Sequence, residues 1–129
     1  MTIIEQIATY LQDDLSLGTV AEDIFLGFMP DDSDTTGTII SVLDTGGVEP
    51  DKYITDVKSP TFQIMIRADD YDTGRAAMDT VRGLHGLFGE LVAGQDYFMK
   101  LHALSEGGHL GRDEKGRDLF SINFVAEVR

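Results

Sequence analysis

The chain has 129 residues and no cysteine; 42% of its residues are hydrophobic, 9% are aromatic, and its formal net charge is -13. This length and composition predict one globular domain over residues 1–129 and exclude a disulfide framework, thiol catalysis and thiolate zinc sites. The acidity disfavours non-specific DNA binding, which depends on Lys and Arg neutralising phosphates. A solvated acidic surface that maintains solubility is the simpler interpretation of the charge.

The charge is uneven along the chain. Residues 1–59 contain 12 acidic and two basic residues, whereas residues 60–129 contain 11 acidic and eight basic ones. The N-terminus has no basic start, and no segment approaches the roughly 18 apolar residues of a membrane span. We therefore predict no signal peptide, no membrane partner and a protein made in the cytoplasm.

The first predicted element is an amphipathic helix over residues 3–16. Thr2 and Glu5 match a capping box, and apolar residues recur at helical spacing as far as Leu15. Two short strands follow, over residues 24–29 and 38–43. We expect them to pair as antiparallel neighbours across the acidic loop DDSDTTG.

A long loop over residues 44–60 contains a glycine pair, two prolines and interspersed charges. Loops of this length in compact domains are usually functional or disordered. Because Tyr53, Ile54 and Val57 lie within it, we interpret the loop as an extended arm that docks on a partner.

The second half of the chain begins with an alternating strand over residues 62–68. Asp70 or Asp72 is expected to cap the following helix. An apolar stripe predicts that this helix runs over residues 72–93 and ends at Gly94. The stripe consists of Ala77, Val81, Leu84, Phe88 and Leu91.

Three glycines fall inside this predicted helix, at Gly83, Gly86 and Gly89. Each is unfavourable in a helix interior by about 1 kcal/mol relative to alanine. Spaced by three, they would leave a shallow side, suited either to close helix–sheet packing within the monomer or to a subunit contact. The substitution Gly86→Leu is then expected to disturb packing.

Two strands complete the predicted fold, over residues 97–104 and 119–128. In the first, Met99, Leu101 and Ala103 are expected on one face. Together the elements predict an α+β domain, with a mostly antiparallel β-sheet packed on one face by two α-helices and a long extended arm between strands.

The segment GRDEKGRDLFSINF, residues 111–124, is either a reactive cluster of acids and guanidinium groups or a turn that leads into a strand. Asp113 and Gly116 are typical turn residues, which favours a hairpin tip. Arg112 and Arg117 could then pair with Asp113 or Asp118, in exposed contacts worth about 0–1 kcal/mol each. No nucleophile with an adjacent base is indicated.

Other reactive motifs are incomplete. Asp32, Asp34 and Thr36 imitate the start of a calcium loop, but Leu43 occupies the position of the essential bidentate glutamate. Three histidines show no metal-ligand spacing with one another, namely His85, His102 and His109. We therefore predict no enzymatic activity, no metal and no cofactor.

Four segments, FLGFMPDD, ISVLDTGGVEPD, SPTFQIMIRADDYDTG and GRDEKGRDLFSINF, resemble in order and spacing the minor capsid or tail-terminator family of long-tailed bacteriophages and prophages. The resemblance implies a virion structural protein, assembled in the host cytoplasm. It also implies a ring, usually hexameric, at the head-proximal end of the tail tube, which stops tube polymerisation and provides the head-joining surface. The implied partners are other copies of the chain, the tail-tube protein and the head–tail connector protein, with DNA passing through without specific binding.

The resemblance assigns subunit or tail-tube contacts to two segments, the long loop and the final hairpin. These residues are Asp44, Thr45, Gly46, Gly47, Val48, Glu49, Pro50 and Tyr53 in the loop, and Gly111, Arg112, Asp113, Gly116 and Arg117 in the hairpin. The net charge motivates a further hypothesis, that Asp31, Asp32 and Asp34 contribute to an acidic lumen. Such a lumen would offer DNA phosphates no counter-charges and would keep retention weak.

Three alternatives remain open. Another head–tail connector ring is the nearest to a terminator. A small acidic inhibitor that mimics DNA would use the same charge, although eight of the ten basic residues lie in residues 60–129. A small metal-dependent hydrolase would need convergent acids such as Asp69, Asp70 and Asp72, for which helix capping is the simpler role.

Overall fold

The computed structural model describes residues 1–30, 37–47 and 57–129. Within these residues the chain forms two α-helices, one short 3-10 turn and seven strands. In chain order they are α1 (Ile3–Asp13), β1 (Ile24–Leu26), β2 (Ile39–Asp44), β3 (Thr61–Ala68), α2 (Tyr71–Val81), the 3-10 turn Arg82–Leu84, β4 (Gly89–Glu90), β5 (Tyr97–Ala103), β6 (Gly108–Arg112) and β7 (Asp118–Val128).

The seven strands form one sheet in the order β1-β2-β3-β7-β5-β4, and β6 also pairs with β7. β5 pairs with residues 124–128 of β7, and β6 pairs with residues 118–121. Because β3 occupies the other edge of β7, β5 and β6 lie end to end along the same edge. They are joined by a bend at residues 104–107.

Both helices pack on one face of the sheet and enclose the core. α1 contributes Ile7 and Leu11, and α2 contributes Met78 and Val81, to one cluster with the inward side chains of the strands. That cluster contains four fully buried phenylalanines, Phe62, Phe98, Phe120 and Phe124. The prediction of an α+β fold with two helices on one face of a mostly antiparallel sheet is confirmed.

The predicted helix caps are also present. Thr2 Oγ1 accepts a hydrogen bond from Glu5 N, and the Glu5 carboxylate accepts one from Thr2 N, both at 3.2 Å. Asp70 Oδ1 accepts from Thr73 N at 2.8 Å. These hydrogen bonds lower the pKa of Glu5 and of Asp70. α1 ends at Asp13, three residues earlier than predicted.

The antiparallel pairing expected for the first two strands is wrong, because β1 and β2 are parallel. Parallel neighbours need a connection of a dozen or more residues instead of a tight hairpin, and residues 27–38 provide that length. The chain after β1 turns over the sheet face opposite the helices. There Ser41 Oγ donates to Phe28 O at 2.7 Å, and the Arg67 guanidinium donates to Pro30 O.

The long helix predicted over residues 72–93 is also wrong in its second half. α2 ends at Val81, and the backbone has positive φ at Gly86 (87°) and at Gly89 (101°). A right-handed helix cannot include left-handed residues, so the glycines end it, and residues 85–90 run beside β5. A Cβ at Gly86 would meet nothing within 4 Å. The substitution Gly86→Leu would therefore strain the backbone, not the packing.

The alternation predicted for the strand over residues 97–104, with Met99, Leu101 and Ala103 on one face and Phe98 on the other, is wrong as well. Phe98 and Leu101 are both fully buried, although they are an odd number of residues apart. A bulge between Phe98 and Lys100 shifts the alternation by one residue and turns both side chains inward. β4 and β6 were not predicted.

Candidate assembly surfaces

The N-terminal end of the long loop is attached by hydrogen bonds to the start of β3. Thr45 N donates to Thr61 O at 3.1 Å, and Thr45 and Thr61 share a hydroxyl hydrogen bond of 2.7 Å. Gly47 N donates to Thr61 Oγ1 at 2.9 Å, and Gly46 N donates to Asp44 Oδ1 at 2.9 Å. The four residues 44–47 are therefore held in one conformation before the loop leaves the sheet.

The C-terminal end of the loop is also held by backbone hydrogen bonds, in this case to β7. Lys58 exchanges two backbone hydrogen bonds with Val128, each 2.8 Å long. Gly47 has a φ of 104°, and a Cβ there would lie 2.9 Å from Ser59 O, so only glycine fits between the two ends. The predicted contact residues Val48, Glu49, Pro50 and Tyr53 lie outside the described residues.

Asp113 organises the tip of the β6–β7 hairpin. Its Oδ1 accepts hydrogen bonds from Lys115 N and Arg117 N, both at 2.9 Å, and its Oδ2 accepts from Arg117 Nε at 2.7 Å. Burial raises the pKa of Asp113, but the hydrogen bonds from Arg117 and Lys115 outweigh it and lower the pKa below its ordinary value. Gly116 completes the turn with a φ of 77°. The charged stretch is thus an ordered turn.

A second ion cluster joins this hairpin to α2. The Asp118 side chain is 2% exposed, and its Oδ1 lies 2.8 Å from His109 Nε2 and 3.4 Å from Arg112 Nε. The ring of Tyr71, the first residue of α2, lies edge-on to the His109 ring at 5.2 Å and also contacts Phe120. These contacts orient Arg112, whose side chain is 68% exposed.

The two predicted contact segments lie at opposite ends of the sheet. In the loop segment, Asp44 pairs with Phe62 near the start of β3. In the hairpin segment, Arg112 pairs with Asp118 of β7. Asp118 in turn pairs with Ala68 at the end of β3. Six residues of an extended strand separate Phe62 from Ala68, a distance of about 20 Å. The fold therefore keeps the two segments apart and presents them in opposite directions.

Several large apolar side chains are exposed, which the sequence did not indicate. Phe88, Leu104 and Leu110 are 74%, 61% and 56% exposed. The apolar periodicity had placed Phe88 in the apolar stripe of the predicted long helix. The positive-φ glycines at positions 86 and 89 were the signal that this helix ends early.

The acidic residues before α2 have structural roles. Asp69 accepts a hydrogen bond from Gly37 N at 2.8 Å, and Asp70 caps α2. Within residues 1–30, 37–47 and 57–129, no group of three or more His, Asp or Glu side chains could hold a metal ion. Asp31, Asp32 and Asp34 lie outside the described residues.

No helix in the described part of the chain is long and apolar enough to cross a membrane.

The family profile described as bacteriophage tail terminator protein matches residues 10–129, nearly the whole chain, and the protein belongs to that family. It is therefore a structural protein of the phage tail and assembles with other virion proteins. The predicted family is confirmed.

A solved structure agrees with this fold. One chain of the virion of a native gene transfer agent particle is similar, with a TM-score of 0.58 and 23% sequence identity over 95% of this chain and 92% of that chain. No curated protein matches the sequence.

Proposed function

We propose that this protein forms a ring, a hexamer in the virion, on the head-proximal end of the tail tube. There it stops tube polymerisation and provides the surface to which the head–tail connector protein binds. The family supports this role, and the position of the two candidate contact segments at opposite ends of the sheet is the observation that carries it.

A terminator must bind two different partners, the tube on one side and the connector on the other. If both contact segments lay at the same end of the sheet, one subunit could not easily contact the tube and the connector at the same time. Here the loop base at Asp44–Gly47 and the hairpin tip at Asp113–Arg117 are about 20 Å apart along β3. Each segment can therefore serve one partner.

The loop base and the hairpin tip are each held by hydrogen bonds within the chain. The hydrogen bonds around Thr61 hold the loop base, and those of Asp113 hold the hairpin tip. Contacts that are already ordered lose less conformational entropy on docking than flexible ones do.

The acidity supports passage of DNA through the ring. No Lys or Arg occurs in residues 1–51. If this part of the chain lines the lumen, DNA phosphates find no cations to hold them. Reversing Asp31, Asp32 and Asp34 together to lysine should then slow DNA ejection from assembled particles, and unaltered ejection would count against these three residues.

The proposal is tested by the mass of the purified protein, measured by light scattering on a sizing column across a concentration series. The series is run alone and with polymerised tail-tube protein. We expect a discrete ring, or a monomer that becomes a ring on tube ends, together with arrest of tube elongation. A monomer indifferent to tubes would overturn the proposal and favour the acidic-inhibitor alternative.

Gly47→Ala and Gly46→Ala form a matched pair for the loop base. Both positions have positive φ, 104° and 98°, but only the Cβ at Gly47 would collide, 2.9 Å from Ser59 O. We expect Gly47→Ala to weaken tube capping more than Gly46→Ala does. Equal capping by the two variants would show that the geometry of the loop base does not determine tube binding.

A further inference from the structure

β5 and β6 together form one long edge of the sheet. Both strands are antiparallel to β7 and pair with the same side of it, so they run in the same direction one after the other. In the bend between them, Leu104 N donates to Asn123 O of β7 at 2.8 Å, so the pairing continues through the bend. The side of β5 and β6 that faces away from β7 is therefore a single edge over residues 97–112.

The first part of this edge is covered by residues 85–90. β4 pairs with Tyr97 and Phe98, and Gly86 N donates to Leu101 O at 2.7 Å. No strand among the described residues pairs with the outer side of β6. An uncovered strand presents N–H and C=O groups to which a strand of another molecule can bind. The boundary between the covered and the uncovered part of the edge lies at Ala103, the last residue of β5.

A side chain closes this boundary. His85 N donates to Arg82 O at 3.1 Å, within the 3-10 turn. The His85 imidazole reaches β5 instead, and its Nδ1 accepts a hydrogen bond from Ala103 N at 2.9 Å. Because only an unprotonated ring nitrogen accepts, the proton of the neutral ring is on Nε2. Nδ1 thus takes the place that a carbonyl oxygen of an added strand would occupy.

β6 is protected in other ways. It has five residues, and its register against β7 shifts between His109 and Gly111. Short edge strands and bulges hinder the addition of a further strand. Without the contact at His85, however, the uncovered edge would extend from β6 back through the bend to Ala103. A longer uncovered edge is a better template for strand addition.

We propose that the His85 imidazole is an edge cap, which prevents a second copy of the chain from adding its own β6 to this edge. The contact is inhibitory, because the added strand would need the Ala103 N–H that His85 already holds. A second copy is the partner that the cap excludes, since every copy has the same uncovered β6 and two such edges can pair symmetrically. The inference concerns a contact that the protein avoids, and it does not depend on the ring proposed above.

The first test removes the acceptor with His85→Ala. His85→Asn is the matched control, because Asn Oδ1 is bonded to Cγ as His Nδ1 is and can accept the same hydrogen bond. At low protein concentration, we expect amide hydrogen exchange at Ala103 to accelerate at least about tenfold in His85→Ala and to stay near the wild-type rate in His85→Asn. Circular dichroism checks that both variants are folded.

Self-association is measured by light scattering across a concentration series, without tail-tube protein. The buffer contains about 0.15 M salt, which screens the repulsion between acidic copies. We expect the mass of His85→Ala to rise above that of the wild type, whereas His85→Asn should follow the wild type.

A second substitution tests whether this association uses the proposed edge. Leu110 is an exposed residue of β6, and a lysine on an edge strand hinders strand addition. The double variant His85→Ala with Leu110→Lys should therefore return to the wild-type mass. Ala76→Lys makes the same charge change at an exposed residue of α2, so His85→Ala with Ala76→Lys should still associate.

The ¹⁵N chemical shifts of the wild-type His85 ring provide a test that needs no variant. We expect an unprotonated Nδ1, and a proton on Nδ1 would overturn the edge cap. A wild-type mass for His85→Ala would also overturn it, as would association that persists after Leu110→Lys. None of these measurements involves the tail tube, so their failure would leave the proposed function standing.

Discussion

At the scale of single residues, Asp113 shows how one side chain can order a charged segment. Six of the first eight residues of the segment GRDEKGRD are charged. The tip nevertheless has one conformation, because the Asp113 carboxylate accepts three hydrogen bonds from Lys115 and Arg117. The sequence predicted the turn from residue types. From the sequence, each arginine could pair with either Asp113 or Asp118. In the structure, Arg117 pairs with Asp113 and Arg112 pairs with Asp118.

The lowered pKa of Asp113 predicts a pH dependence of stability. A carboxylate with a lowered folded-state pKa stabilises the fold above its unfolded pKa, near 3.8, and loses this effect as the pH falls through the folded value. Asp113→Asn removes the charge, so it should destabilise the protein at pH 7. The difference in unfolding free energy between variant and wild type should shrink below about pH 3.8.

Urea unfolding at neutral and acidic pH measures this difference. Glu114→Gln, at an exposed residue of the same turn, is the control and should unfold like the wild type at both values. A difference between wild type and Asp113→Asn that persisted unchanged in acid would show that the charge of Asp113 does not stabilise the tip.

At the scale of elements, α2 approaches the sheet at a glycine. A Cβ at Gly74 would lie 2.3 Å from Phe120 Cε2 and 3.1 Å from Ala68 Cβ. The helix can therefore pack this closely on β3 and β7 only where a side chain is missing. The sequence placed the important small residues at positions 83, 86 and 89, but the close approach occurs at Gly74, nine or more residues earlier.

Gly74→Ala should lower the unfolding free energy by about 1–3 kcal/mol through overpacking, reduced by up to about 1 kcal/mol through the better helix propensity of alanine. Gly83→Ala is the matched control, because a Cβ there meets nothing within 4 Å, and it should be neutral or slightly stabilising. Denaturant unfolding of the two variants gives both values. Equal effects would contradict the close contact between α2 and Phe120.

Some strands could be predicted from their own residues, whereas others form only because of the strand they pair with. β3 and β7 were predicted nearly to the residue, because their apolar residues alternate without interruption. β6 was missed because the segment GHLGR contains two glycines and no alternation. It is a strand only because β7 is long enough to pair with both β5 and β6.

At the scale of the whole molecule, the sheet separates the two candidate contact segments. The loop base and the hairpin tip touch different ends of β3, about 20 Å apart. Substitutions this far apart, with no shared partner, usually have additive effects on stability.

The double variant Gly47→Ala with Asp113→Asn should therefore lose the sum of the two single losses, within about 0.5 kcal/mol. Urea unfolding of the wild type, both single variants and the double variant completes the cycle. A larger coupling would show that the two ends communicate through β3, so that binding of one partner could affect binding of the other.

Features that depend on near neighbours could be predicted from the sequence. They include the caps at Thr2 and Asp70, the alternation of β3 and β7, the turn at Asp113, and the acidity of the first 51 residues. Hydrogen bonds and side-chain periodicity within a few residues produce these features, so they are visible in the sequence. The family resemblance came from the combination of such segments.

The pairing of the strands and the positions of the surfaces could not be predicted from the sequence, because they depend on long-range contacts. The parallel pairing of Ile24 with Ile40 and the position of residues 85–90 beside β5 depend on partners far along the chain. The same is true of the opposite positions of the loop base and the hairpin tip. Many conformations satisfy the local preferences of these segments. The observed fold buries four phenylalanines between the sheet and two helices, and this burial favours it over conformations that leave them exposed.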